Sequence, residues 1–182
     1  MNRLNRMKEE AAKLYEERFQ NTCKGIEEYL KKHWLEMERE MEDIMAKLMQ
    51  EAECLKESGE KGEAKYLIVS HLYSSFAAGT YEYRLDILDE EMYLDEQEIS
   101  AYWTPKFLPD YIKADAGYFK EVLQKKFIRL REYEIKEIER DYQFYYHSLI
   151  YEIFCCLKKR IEILAGLQVL FGEYMGKAYP VT

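Results

Sequence analysis

Residues 30–55, LKKHWLEMEREMEDIMAKLMQEAECL, carry apolar side chains at Leu30, Trp34, Met37, Met41, Ile44, Leu48 and Leu55, in alternating steps of four and three broken only at Glu51. That spacing is the seam of an amphipathic helix with a heptad repeat. Upstream, Phe19, Cys23 and Ile26 extend the seam, and the two consecutive steps of four from Ile26 through Leu30 to Trp34 form a local stutter, with Gly25 beside it. On the charged faces Glu9 precedes Lys13, Glu27 precedes Lys31 and Glu28 precedes Lys32 by four, the order that supports a helix. Residues 1–57 are therefore expected to form one long helix, or two that break near Gly25. A single helix over residues 3 to 57 would be about 80 Å long at 1.5 Å per residue and would need an equally long partner.

The C-terminal part offers that partner. Ile128, Ile135, Tyr142, Leu149, Cys156, Ile163 and Leu170 recur every seven residues, and no proline interrupts them. Asp110, after Pro109, suits an N-cap, and Gly117 delays the expected start to about Tyr118. The spacing predicts a long helix, or two, over residues 118–176, packed antiparallel to the first within one chain or between two.

Residues 60–117 connect the two. Ser58-Gly59-Glu60-Lys61-Gly62 reads as a turn, and Ala64 to Ala78 is apolar nearly all round, which predicts a buried central helix stopped by Gly79. The period then changes to two, with Tyr81, Tyr83, Leu85 and Ile87 alternating with Glu82, Arg84 and Asp86, which predicts a strand. Met92-Tyr93-Leu94 is expected to pair back as a small acidic β-hairpin, with helix as the alternative, since no Asn-Gly or Asp-Gly turn is present. Ile99 to Tyr111, with Pro105 and Pro109, reads as an ordered loop or short helix. The fold class is mainly α: long antiparallel helices with coiled-coil-like seams, a buried central helix and the small hairpin, in one domain over residues 1–182.

Hydrophobic residues make up 48% and charged ones 34% of the 182, a balance that excludes disorder and a membrane span. The N-terminus runs from charge to charge without an apolar leader, so a cytoplasmic protein is expected. Cys23, Cys54, Cys155 and Cys156 lack a Cys-x-x-Cys pair or a disulfide framework and read as free core thiols.

Catalytic signatures are missing. No Walker loop, dinucleotide glycine fingerprint, His-Glu-x-x-His or Gly-x-Ser-x-Gly occurs, and Ser58-Gly59-Glu60-Lys61 lacks the companion motifs of a Ser-x-x-Lys enzyme. A dimetal bundle needs Glu-x-x-His on two helices, but Leu30, Ile68 and Phe144 stand three before His33, His71 and His147. The acidic run Asp89 to Glu98 has Leu94 where a calcium loop needs glycine. Neither a metal nor a cofactor is expected, and the chain leans away from being an enzyme.

Two surface features remain. Residues 80–100 hold eight acids against Arg84 alone, nearly the whole of the net charge of −8. A concentrated acidic surface repels nucleic acid and attracts basic proteins. The second feature is tyrosine, with 17 in the chain and Tyr142, Tyr145, Tyr146 and Tyr151 crowding around His147. The basic run Lys125 to Arg131 is followed at once by Glu132, Glu134, Glu137 and Glu139, a poor nucleic-acid footprint.

The expected function is a non-enzymatic protein-binding protein, a homodimer without a membrane partner, that occupies a basic surface of a larger protein or nucleoprotein. Its sharpest form is an acidic inhibitor of a nucleic-acid-processing effector, of the anti-restriction or anti-CRISPR type. The partner-binding candidates are Asp86, Asp89, Glu90, Glu91, Asp95, Glu96, Glu98, Tyr81, Tyr83 and Tyr93. The alternative is a helical ligand-binding or sensor domain for an aromatic metabolite or haem, with His71, His147, Tyr146 and Tyr151 lining its pocket.

Overall fold

The computed structural model describes residues 2–94 and 97–172, apart from the side chain of Tyr93. The fold is mainly α with one small sheet. In chain order the elements are α1 (Arg3–Ser58), β1 (Tyr66–His71), α2 (Tyr73–Ala78), β2 (Tyr83–Leu88), a single 3-10 turn (Met92–Leu94), β3 (Ile99–Trp103), α3 (Leu108–Lys126), α4 (Glu132–Ala165) and β4 (Gln168–Phe171). They pack as two compact units, Met1–Lys32 with Lys106–Tyr146 and His33–Pro105 with His147–Thr182.

The first unit contains the first half of α1, α3 and the start of α4. Met7, Ala11, Tyr15, Thr22 and Ile26 form the buried stripe of α1 here, and Ile112, Phe119 and Leu123 that of α3. The three helices meet in an aromatic triad. Tyr15 of α1, Phe119 of α3 and Tyr142 of α4 have ring centroids 4.7 to 5.3 Å apart, each pair tilted or edge-to-face. Such geometry contributes about 0.5–1.5 kcal/mol per pair beyond the apolar area it buries. α1 runs through Gly25 without a break, and the glycine has a packing role. A Cβ there would lie 3.0 Å from the Tyr111 hydroxyl and 3.1 Å from its ring, so the missing side chain makes room for α3.

The second unit contains the rest of α1 and α4, α2 and a sheet of order β3-β2-β1-β4. β1 pairs antiparallel with β2 (Val69 opposite Leu85) and parallel with β4 (Val69 opposite Phe171), while β2 pairs antiparallel with β3 (Leu85 opposite Ala101). Leu67, Val69, Leu85, Ile87, Ile99 and Val169 share one buried face. On the helices Met37, Met41, Met45, Leu48 and Ala52 of α1 are buried, as are Ile150, Phe154, Leu157 and Ile161 of α4.

Several expectations are corrected. The central helix over Ala64–Ala78 is a strand followed by one short helix. Tyr66-Leu67-Ile68-Val69 is apolar all round because both faces of β1 are buried, Leu67 and Val69 on one and Ile68 on the other, and a continuous apolar run suits a two-sided strand as well as a buried helix. Met92–Leu94 does not pair with β2. Met92 has φ 52°, and the returning strand is β3, in the segment read as a loop or short helix. Asp110 lies within the first turn of α3, which starts at Leu108 with Pro109 in the first turn, where its missing N–H costs nothing.

The single C-terminal helix over 118–176 is likewise replaced by α3, α4 and β4, with residues 173–176 outside the described part. Ile128 stands in the α3–α4 turn and Leu170 in β4. Along α4, Ile135 and Tyr142 are buried but Cys156 is exposed and Ile163 is 73% exposed. A seven-residue repeat drifts about 20° per heptad on a straight helix, roughly 80° from Ile135 to Ile163, and so leaves the buried face. The cysteines differ too: Cys54, Cys155 and Cys156 are exposed and Cys23 is half-buried, all free thiols.

Candidate functional site

The acidic connection from β2 to β3 is built on internal anchors. Asp89, directly after β2, is buried; its carboxylate accepts the Gly62 amide at 3.0 Å and the Glu91 amide at 2.8 Å. Gly62 permits this approach, because a Cβ there would fall 2.8 Å from the same carboxylate. Lys61, also buried, donates from Nζ to the Gln97 carbonyl at 2.9 Å. The turn is thus pinned to the end of α1 by one buried acid and one buried lysine.

Around these anchors the remaining acids spread over the surface. Arg84 takes two of them: its Nε lies 2.7 Å from Asp86, two residues on along the same face of β2, and its Nη2 pairs with Glu98. Asp86 is half-buried, and burial raises its pKa against the opposing pull of Arg84. Glu90 pairs with Lys65 at 2.6 Å and stays exposed, as does Glu91. Surface pairs of this kind contribute about 0–1 kcal/mol, so a partner's cations can exchange with Lys65 or Arg84 at little cost.

The predicted partner-binding residues therefore part company. Glu90, Glu91 and Glu98 are each exposed, with Glu98 and the half-buried Asp86 sharing Arg84 and Glu90 on Lys65. Asp89 holds the turn. Tyr83 is fully buried, and Tyr81 is half-buried with its ring 5.2 Å from Phe76. Asp95, Glu96 and the side chain of Tyr93 fall outside the described residues.

The predicted ligand-pocket residues separate as well. His71, at the end of β1, and His147 of α4 meet with ring centroids 3.6 Å apart, against Phe76 and Tyr83, with Trp103 and Phe154 packed behind Tyr83. The Tyr83 hydroxyl lies 3.4 Å from His147 Nδ1. Burial depresses the pKa of His71 to about 4 and, with the neighbouring His71 adding to it, that of His147 to about 3. His71 Nε2 and Trp103 Nε1 are buried and meet no hydrogen-bond partner among the described residues. Rings in such contact leave no space between them for a flat ligand. Tyr151 lies elsewhere, with its ring 4.8 Å from Phe171 of β4.

The chain matches no protein-family model, no curated protein and no solved structure.

Tyr146 belongs to a network in the first unit that sequence reasoning missed. Asp115 of α3, 1% exposed, accepts from Arg18 Nε at 2.6 Å, from the Thr22 hydroxyl at 3.0 Å and from the Tyr146 hydroxyl at 2.6 Å. Burial, and then the Asp115 charge, push the Tyr146 phenol far above its ordinary range. Asp115 occupies the apolar register of α3 between Ile112 and Phe119, and an acid in a core position was the available signal. With three donors the carboxylate is satisfied, and the network ties α1, α3 and α4 together. Among the described residues no cluster of three or more His, Cys, Asp or Glu is arranged to hold a metal ion, and no helix is long and apolar enough to cross a membrane.

Proposed function

We propose that the chain is a non-enzymatic protein-binding protein whose second unit occupies a basic surface on a larger partner, in its sharpest form as an inhibitor of a nucleic-acid-processing effector. The observation that supports this reading is the separation of charge between the units. The first unit has 17 Lys and Arg against 14 acids, and the second has 10 against 21, which together account for the −8 of the chain. The excess acid therefore belongs to the sheet-bearing unit, where the pinned turn holds Glu90, Glu91 and Glu98 at the surface. Preorganised carboxylates of this kind favour fast, salt-sensitive association with a cationic face. A surface that binds nucleic acid is cationic for its own reasons, which makes it the natural target.

The test is capture from cell lysate with cross-linking, comparing the wild-type chain with the triple reversal Glu90→Lys, Glu91→Lys, Glu98→Lys. The reading requires that the captured proteins bind nucleic acid, that duplex DNA displaces them in competition, and that the triple variant loses them. A captured set indifferent to both DNA and charge reversal refutes it.

A further inference from the structure

The turn between α3 and α4 presents Ile128, the most exposed large apolar side chain among the described residues, at 82%. Among the described residues nothing covers this isoleucine, yet the turn around it is firmly built. Arg129 adopts φ 53°, a left-handed conformation unfavourable for a side chain other than glycine. It is held there by Arg3, whose Nη2 donates to the carbonyls of Ile128 at 2.9 Å and Arg129 at 3.1 Å. The Nε of Arg3 donates to Glu134 at 2.8 Å, and the other oxygen of that buried carboxylate accepts the Arg131 amide at 2.8 Å. Arg3 and Glu134 thus serve the turn itself.

The cations beside Ile128 are differently placed. Arg129 and Arg131 are exposed and make no ion pair among the described residues; the charge of Arg131 acts on the nearby Glu134, and its Nη1 makes a long contact, 3.5 Å, with the Tyr133 hydroxyl. Tyr133 is itself 52% exposed. Lys125 and Lys126 are engaged by Glu121 and Glu10. Arg6 lines an adjoining surface hollow of about 210 Å³ with Glu9, Glu10, Lys126 and Phe127.

We propose that this turn docks on an anionic lipid bilayer, with Ile128 entering the interface and Arg129 and Arg131 binding lipid phosphates. An apolar side chain standing clear of a turn leaves water only in a medium that deforms around it, as the acyl boundary of a bilayer does. Guanidinium groups bind phosphate through paired hydrogen bonds, and tyrosine favours the headgroup level. Nucleic acid offers the phosphates without an apolar phase for Ile128. A second copy of the chain offers the acidic second unit but must supply a recess of matching shape. One isoleucine and two arginines produce weak, reversible attachment. Such a surface partner was not expected from the sequence, and the proposal is independent of the inhibitor reading, because it concerns the other unit.

The test uses the full chain and co-sedimentation with vesicles of phosphatidylcholine alone or with about one-quarter phosphatidylserine. At low salt the chain should partition onto the anionic vesicles in preference to the neutral ones, and lose them at about 1 M salt, where the Debye length falls to about 3 Å. Each of Arg129→Glu and Arg131→Glu should weaken partitioning at least about fivefold. Ile128→Asp should weaken it about tenfold with an unchanged urea midpoint, since the side chain has no role in the fold. Ile128→Trp should shift its emission to the blue only with the anionic vesicles. The proposal is overturned by the absence of binding to anionic vesicles, by equal binding to both vesicles, or by Ile128→Asp binding as wild type does; Ile128-dependent self-association or duplex DNA binding without vesicle binding would assign the turn to that partner instead.

Discussion

Acidification should unfold this protein through His71 and His147. In the folded state both imidazoles are neutral well below their usual range, at about 4 and about 3. The cause is visible in the geometry. A proton added at His71 Nε2 would find no acceptor, and two charged rings 3.6 Å apart would repel by about 4–5 kcal/mol even at an effective dielectric constant of 20. In the unfolded chain each titrates near 6.5. Their folded values are depressed, so their contribution to stability is complete above pH 6.5 and is lost as pH falls through the folded values. Between about pH 5.5 and 4.5 unfolding takes up close to two protons, a slope of about 2.7 kcal/mol per pH unit, and from pH 6 to 4.5 the loss sums to roughly 3.5 kcal/mol. Urea unfolding at pH 6, 5.5, 5 and 4.5, followed by circular dichroism, measures this for the wild type and for the double variant His71→Gln, His147→Gln. Carboxylate titration is common to both proteins and cancels. The variant should lose about 3.5 kcal/mol less than the wild type over that interval, whatever its stability at neutral pH. Equal pH dependence in the two proteins, or an imidazole NMR signal assigned to His71 or His147 of the folded wild type that titrates near pH 6.5, would refute the argument.

Three further outcomes follow from the packing. Asp115→Ala leaves Arg18, Thr22 and Tyr146 without their shared acceptor and should cost about 3–5 kcal/mol by urea unfolding at neutral pH, with Asp115→Asn intermediate. Gly62→Ala drives a methyl group to 2.8 Å from the Asp89 carboxylate and should destabilise by about 1–3 kcal/mol, seen as a lower melting temperature, whereas Gly117→Ala, in open space on a helix, should raise it. Thiol titration with a disulfide reagent should show three fast cysteines, Cys54, Cys155 and Cys156, and a slow Cys23, whose burial raises its pKa.

α1 is legible in the sequence because its apolar residues repeat at helical spacing over its full length and nothing within it, Gly25 included, forces a stop. The ends of α4 carry only weaker signals. Glu134 stands three residues after Arg131 and reaches back to its amide, half of a capping box, and Gly166 has the left-handed φ of a C-terminal cap. The seven-residue repeat ran through both and concealed them. β1 was not legible, because an apolar run of four residues, Tyr66 to Val69, fits a buried strand or a buried helix turn equally. Its long-range pairing with β4 decides between them, and local pattern does not contain that. In the candidate site, surface acids could be named, and the alternation of β2 continued past Ile87 puts Asp89 on the buried face and Glu90 outside. What the alternation does not contain is the Gly62 amide that the buried acid meets. The two histidines were singled out separately, and their contact joins residues 76 positions apart in the chain, beyond any periodic signal.

The parallel pairing of β1 with β4 also fixes an order of events during synthesis. Val69 must wait for Phe171, about a hundred residues later, which at ribosomal rates of 5–20 residues per second is roughly 5–20 s. Through that interval β1 can pair with β2 as a local hairpin while its other edge, bearing Leu67, Ile68 and Val69, stays open. A nascent chain with a bare apolar strand edge is a substrate for chaperones and a template for aggregation. Slowing translation after β2 should therefore lower the soluble yield of this protein more than slowing it within α1.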